Sequence, residues 1–464
     1  VLLPPPHATL ALRPALRAVA AAIALATLPR PAHPQPADSV PSLDAYVAAG
    51  LARNLGQQQQ RLAVQRADAA VREARGAFLP SATVNAQRIE VAGNRIDLGQ
   101  FINPAFGALN QLLQRPQFPT DLSLQIPLRQ VTAVRLAQPL FQPQVLQGWR
   151  IAGALRDAQT AERDAQARTL AAEIRRAYLD HAKARRLAEL YDRTLPVLEE
   201  ALRVAERLVA NGKATPDAVY RARAERAEIA QRQAEARQLA EISGEAFNLL
   251  LDRPLDAPVA LFDDAALGID SLTPVDDAVG RAGRGREELR QLAQAERATE
   301  AQRRLEQSRF LPALSVAVDY GVQGNQYRFD RRNDFAQTTV VLSWNLFNGA
   351  QDVARVEQAT VARDQLALRR REAARAIALE VRQAHSAALV ARSAIATAGD
   401  REAAARRTFE LVERKYAQGL ASQLEFLDAR ATWTAAALNR LITTYDYYQR
   451  AVQFARAAAL YPRS

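Results

Sequence analysis

The feature that most limits what this chain can fold into is a duplication built around two helical tracts too long for an ordinary globular domain. Val145 to Ala210 carries a single proline, Pro196, and Gln351 to Ala417 carries none. A continuous helix of either length would reach roughly 100 Å. Each tract ends at a glycine pair, Asn211-Gly212 and Gln418-Gly419, where glycine suits a helix C-cap. A second helical pattern then returns, over Asp217 to Leu250 and over Gln423 to Leu460. Apolar positions are mostly alanine with scattered Leu, Ile and Val, and their heptad-like spacing predicts close coiled-coil packing.

The segments upstream of these hairpins are duplicated too. A helical pattern from Leu43 to Phe78 runs into Phe78-Leu79-Pro80, and one from Asp276 to Phe310 runs into Phe310-Leu311-Pro312. Glu206-Arg207 and Ala222-Arg223-Ala224 recur as Glu413-Arg414 and Ala429-Arg430-Ala431. Several matches in the same order mark a tandem repeat whose copies differ mainly in one shorter segment.

Between the helices lie strand patterns. Leu314, Val316, Val318, Tyr320 and Val322 alternate with Ser315, Ala317, Asp319, Gly321 and Gln323, the period of a half-buried strand. Its partner runs through Thr338, Val340, Leu342, Trp344 and Leu346, after the polar loop Gly324 to Asp334. In the first copy the strands are expected at Ala82 to Val91 and within Leu122 to Phe141, separated by a loop rich in Gly, Asn and Pro. Leu122, Leu124, Ile126 and Leu128 alternate there, with Pro127 restricting that piece to an edge or loop. Strands of about nine to eleven residues with one apolar and one polar face suit lipid outside and water inside. Two hairpins give four strands, and single-chain barrels need eight or more, so spanning lipid requires several chains to share one barrel.

Composition narrows the functional classes. The net charge is +11 over 464 residues, carried almost wholly by arginine interleaved with acids, which reads as a solvated helical exterior. No basic arm with interleaved aromatics suits nucleic acid. Without cysteine there is no disulfide, thiolate site or lipid-modified N-terminal cysteine. His181 and His385 stand singly within helical stretches and read as packing histidines. No nucleophile–base set, metal cluster or phosphate loop stands out, so neither an enzyme nor a cofactor is expected. Arg13 and Arg17 before the apolar run Ala18 to Leu28, with Ala24-Leu25-Ala26 as a cleavage site, read as a signal peptide over residues 1–26. A proline-rich linker follows over 27–41.

At this point the chain resembles the TolC family of outer-membrane efflux proteins. The resemblance rests on Ala74-Arg75-Gly76-Ala77-Phe78-Leu79-Pro80, Gln138-Pro139-Leu140-Phe141 and Trp344-Asn345-Leu346-Phe347-Asn348-Gly349. Most specific is Lys415-Tyr416-Ala417-Gln418-Gly419 followed by Leu424-Glu425-Phe426-Leu427-Asp428-Ala429. It implies a mainly α fold with membrane β-strands, four per protomer, forming a trimeric 12-stranded outer-membrane barrel above a long periplasmic helical barrel. The repeats would occupy 42–251 (hairpin about 82–141) and 289–464 (hairpin about 313–347), joined by an equatorial linker over 252–288. The helix–strand junctions would fall at Pro80, Pro139 and Pro312.

The same resemblance implies an exit duct in the outer membrane, extending into the periplasm, for efflux or type I secretion. Its partners would be two further copies, a periplasmic adaptor and an inner-membrane RND or ABC pump, with no nucleic acid. Glu425 and Asp428 match an acidic pair ringing the periplasmic aperture, and Tyr416 matches a tyrosine that helps hold the closed state. Gly212 and Gly419 mark the hairpin tips, where the adaptor would dock. Ala421 and Ala218 stand where the family uses charged closing links, so a different latch is expected. The competing class is a soluble, alanine- and arginine-rich coiled-coil scaffold. It accounts for the helices and the charge but not for the leader, the repeated Phe-Leu-Pro junctions or the alternating strands.

Overall fold

The computed structural model describes residues 42–90, 92, 96–122, 125–126, 128–262, 272–324 and 333–461. The expected leader and proline-rich linker lie outside these residues, as does most of the polar loop after Gly324. In the first repeat, α1 (Leu43–Arg53) and α2 (Leu55–Gly76) lead to β1 (Ser81–Arg88). A short ladder of β2 (Ile96–Asp97) with β3 (Gln125–Ile126) brackets α3 (Gly99–Leu113). Then come β4 (Gln130–Phe141), α4 (Pro143–Ala210) and α5 (Pro216–Leu250). The second repeat runs α6 (Val275–Gly285), α7 (Glu287–Gln307), β5 (Ala313–Gly324), β6 (Asp334–Ser343), α8 (Gln351–Ala417) and α9 (Gln423–Ala457).

Both predicted leading helices prove to be broken, and at equivalent places. Asn54 separates α1 from α2, and Arg286, 232 residues later, separates α6 from α7. Each break is clasped to the end of its own repeat's return helix. The Asn54 amide donates to the Leu250 carbonyl at 3.0 Å, and Arg286 donates to the Ala457 carbonyl at 3.2 Å. Asn54 also accepts from the Gln57 backbone N–H, capping α2. Side chains that satisfy orphan backbone groups at helix ends make such interruptions stable.

The Phe-Leu-Pro junctions are duplicated in structure as well. Pro80 and Pro312 stand immediately before β1 and β5, ending the helical run. The exit from each hairpin ties back to the junction: Gln138 donates to the Phe78 carbonyl at 2.9 Å and the Trp344 indole to the Phe310 carbonyl at 3.0 Å. Pro139 lies beyond the last β1 partner of β4, where the ladder to β5 shifts register between Pro139 and Phe141.

The four long strands form one antiparallel sheet in the order β1-β4-β5-β6. Two expectations for this region are corrected. The loop expected in the first hairpin contains α3, and β4 of the main sheet begins only at Gln130, after the Leu122–Leu128 alternation, of which Leu124 and Pro127 lie outside the described residues. The second hairpin's final strand ends at Ser343, so Trp344 and Leu346 lie past the ladder.

Alanine-rich seams hold the helical hairpins together. Buried Ile377, Val381, Ala384, Ala388 and Ala391 of α8 alternate four- and three-residue steps, and Ala398 and Ala405 continue at intervals of seven, a heptad stripe facing α9. In the first hairpin Ala222, Ile229 and Ala236 of α5 repeat at intervals of seven, and α5 packs on α4. His181 is a packing residue: its Nδ1 lies 3.0 Å from the Ala240 carbonyl, and burial lowers its pKa. An aromatic core of Tyr46, Tyr178, Phe247 and Phe262 joins α1, α4 and α5 to the segment after α5. The Tyr178 and Tyr46 hydroxyls accept the Phe262 and Ala260 backbone N–H groups.

Because Ala388 is wholly buried in the α8 seam, Ala388→Leu is expected to overpack it and cost about 1–3 kcal/mol. Denaturant unfolding checks this; unchanged stability would mean that the seam is not close-packed.

Candidate functional site

Two regions of the protomer are chemically distinctive, the sheet and the hairpin tips. In the sheet, register places Ala82, Val84 and Ala86 of β1 beside Leu136, Val134 and Thr132 of β4. Val318, Tyr320 and Val322 of β5 face these across the next ladder, and Thr338 and Val340 of β6 continue the surface. The opposite face carries Thr83, Asn85, Arg135, Asp319, Gln337 and Thr339. Arg135 and Asp319 are direct cross-strand partners joined by a bidentate ion pair of 2.7 and 3.0 Å. Within the protomer most of the apolar face is uncovered: Val84, Tyr320, Val340 and Leu342 are all more than 60% exposed, while Val322 is buried. A sheet with a dry face open to the surroundings and a polar face behind it is built for two solvents. No described helix is long and apolar enough to cross a membrane, which says nothing about the sheet.

At the tips the expected glycines do what left-handed backbone requires. Gly212 (φ +69°) and Gly419 (φ +73°) close the C-termini of α4 and α8. Lys213 N–H returns to the Leu208 carbonyl and Leu420 N–H to the Lys415 carbonyl, each at 2.8 Å, the six-to-one bond of a Schellman turn. A Cβ at either glycine would meet nothing within 4 Å, so backbone conformation and not crowding selects glycine.

The three aperture candidates sit together on the α8–α9 turn but play different parts. Glu425 forms a capping box with Ser422: its carboxylate accepts the Ser422 backbone N–H at 2.9 Å while the Ser422 hydroxyl accepts its own N–H at 3.2 Å. Asp428, one turn on, is exposed and forms no ion pair among the described residues. Arg414 points back to the Glu410 carbonyl, and Arg430 pairs elsewhere, so neither neutralises the pair. Tyr416 stacks on Phe426 with ring centroids 4.9 Å apart, beside the Phe409–Trp433 stack. Burial raises its pKa, and its hydroxyl has no hydrogen-bond partner among the described residues.

Residues the sequence did not single out join the two hairpins here. Gln423 donates to the Ala218 carbonyl at 3.0 Å, so a position lacking a side-chain link contributes its backbone instead. Arg430, 2% exposed, reaches across to Glu225 of α5 at 3.5 Å. Burial lowers its pKa, with Glu225 opposing, and its Nε and Nη1 have no partner among the described residues. Its repeat counterpart Arg223 stays exposed and pairs within its own hairpin with Glu206 at 3.0 Å. The repeat had aligned the two arginines; nothing in composition separated them.

These features converge with the likenesses to known proteins. Residues 279–459 match the family described as Outer membrane efflux protein. That span holds most of the second repeat, and the same fold is present in the first. Over that span the chain is similar to the outer membrane efflux protein family. Among solved structures, CusC superposes with a TM-score of 0.75 at 16% identity over 93% of this chain and 98% of that one. A membrane protein from Pseudomonas aeruginosa gives 0.73 at 19% identity, covering 93% and 99%. The open state of the Neisseria gonorrhoeae MtrE outer membrane channel gives 0.72 at 18% identity, covering 90% and 89%. At such identities the likeness shows the fold. No curated protein matches the chain. The fold is thus that of outer-membrane channels of TolC type, as the motifs implied.

The Arg430–Glu225 contact predicts an asymmetric response. Glu225→Ala, which leaves a buried guanidinium uncompensated, is expected to lower stability by about 1–3 kcal/mol, whereas Arg430→Met is expected to be neutral or stabilising. Equal losses in denaturant titrations would show that the pair itself, and not the buried charge, sets the cost.

Proposed function

We propose that this protein is the exit duct of a tripartite efflux or type I secretion system, working as a homotrimer. The observation that carries this is the four-stranded sheet with an exposed apolar face and two unpaired edges, β1 and β6. In hydrocarbon every backbone N–H and C=O needs a partner, so an open sheet edge is not tolerated there. Joining β6 of one copy to β1 of the next removes every edge, and three copies make a 12-stranded barrel, above the eight-strand minimum. The polar face, with Arg135 and Asp319, then lines the water-filled interior. The helical hairpins attached to the strands form a ring that reaches into the periplasm.

Energy enters from outside the duct, through an inner-membrane RND or ABC pump and a periplasmic adaptor that engages the tips at Gly212 and Gly419. Glu425 and Asp428 sit beside those tips, and three copies bring six carboxylates around one aperture. Gln423–Ala218 and Arg430–Glu225 hold the base of α9 against α5 and serve as closing links where Ala421 and Ala218 lack charged side chains. Residues 1–26 direct export. The repeats are placed at 42–251 and 289–464 about an equatorial segment over 252–288, which then holds α6 and the Arg286 break.

The chain has no cysteine, so introduced pairs report contacts without background. Single cysteines placed in register along β1 and β6 are expected to yield disulfide-linked species that stop at the trimer on non-reducing gels. Absence of any linked species, or a ladder ending at another size, would sink the shared barrel.

The aperture is tested separately. Glu425→Gln keeps the capping box, because glutamine serves there as well as glutamate, and Asp428→Asn keeps shape while removing charge. In planar bilayers the double variant is expected to lose much of its cation preference and its block by divalent cations, with the trimer intact. Unchanged selectivity would remove the pair from the aperture.

A further inference from the structure

Where α6, α7 and α8 meet, the surface is hollowed into a recess of about 570 Å³. It lies about 30 Å along α8 from the sheet end of that helix. Its wall carries five arginines, Arg284, Arg286, Arg290, Arg370 and Arg371, against one carboxylate, Glu296. Three of the five are committed. Arg286 is held bidentate by Glu288 and also by Glu380, Arg290 is paired with Asp164, and Arg370 binds Glu296 at 2.8 Å.

Arg284 and Arg371 are exposed and have no ion pair or hydrogen bond among the described residues. The acids nearest Arg284 in sequence are already engaged, Glu287 with Arg168 and Glu288 with Arg286. Arg371 has alanine, leucine or arginine at every position three or four residues away on its helix, so no helix-surface carboxylate can reach it. The recess is also kept open by sequence. Gly283 forms part of its wall, and a Cβ there would meet nothing within 4 Å.

We propose that this recess binds an oxyanion of the phosphate class carrying two or more negative charges. Two unpartnered guanidinium forks call for two charges and several acceptor oxygens, which a phosphate ester or pyrophosphate supplies and a single carboxylate does not. The fixed pairs around them orient the free arginines without neutralising them. Such an anion comes from a soluble phosphorylated solute: on the proposed function a bilayer headgroup lies out of reach of a recess about 30 Å beyond the sheet, and phosphatidylglycerol, with a single charge, serves as the contrasting probe. The site is distinct from the hairpin tips, and binding at it is read without reference to transport.

The test is equilibrium binding of inorganic pyrophosphate to the full chain in an uncharged detergent, alongside binding to nanodiscs with and without phosphatidylglycerol. Arg284→Gln with Arg371→Gln is expected to weaken binding by about tenfold or more with melting unchanged, because neither side chain has an internal partner to lose. Gly283→Leu, which fills the hollow and leaves every charge in place, is expected to weaken it as well. Arg369→Gln, an exposed arginine on α8 outside the recess, is the control. Saturable pyrophosphate binding lost in the double variant and in Gly283→Leu supports the site with a soluble source. Binding of phosphatidylglycerol alone overturns the two-charge requirement. Binding of neither probe, or an equal loss in Arg369→Gln, overturns it.

Discussion

The structure depends first on an unmet backbone requirement. A four-stranded sheet leaves the outer edges of β1 and β6 unpaired among the described residues, and its apolar face exposes Val84, Tyr320, Val340 and Leu342 while burying Val322. Water tolerates such edges and hydrocarbon does not. The protomer therefore carries an incomplete element at one end of its long helices. Those helices, α4 and α8 directly and α5 and α9 through their seams, connect the sheet to the tips at Gly212 and Gly419.

Transmission over that distance calls for helices that cannot slide, and small side chains supply this. Alanine seams bring the axes close and leave little freedom for one helix to shift along another. The clasps at Asn54 and Arg286 then fix each leading helix to the end of its own return helix. They use different chemistry, a neutral amide in one repeat and a multiply paired guanidinium in the other, for the same task of satisfying a terminal carbonyl. Duplication conserved the geometry while the side chains diverged.

The tips show the opposite outcome. Arg223 and Arg430 occupy equivalent positions, yet one is a solvated partner of Glu206 and the other a buried bridge to Glu225. Glu425, expected as an aperture acid, also serves as the capping residue of α9, so its charge and its structural role need separate tests. The first hairpin was similarly only half legible. Its strands were placed within a few residues, but the Leu122–Leu128 alternation, interrupted by Pro127, mimicked a ladder strand, and the helix Gly99–Leu113 was hidden in a stretch whose Gly, Asn and Pro content reads as loop. The two helix breaks were missed because neither Asn54 nor Arg286 breaks a helix by itself; each is stabilised by a partner about 170 residues or more away.

The sequence by itself determined the tandem order of segments, the long paired helices, the glycine turns at Gly212 and Gly419, the strand faces of the second hairpin and the resemblance to TolC-type channels. These are written in periodicity, in φ-demanding glycines and in repeated motifs, all of which act over a few neighbouring residues. Only the tertiary structure decided the strand order β1-β4-β5-β6, the clasps at the helix breaks, which of two equivalent arginines is buried, and the open arginine recess beside Gly283. Each of these depends on groups brought together from distant parts of the chain, and the strength of an ion pair or the cost of a buried charge is set by the partners and solvent found there.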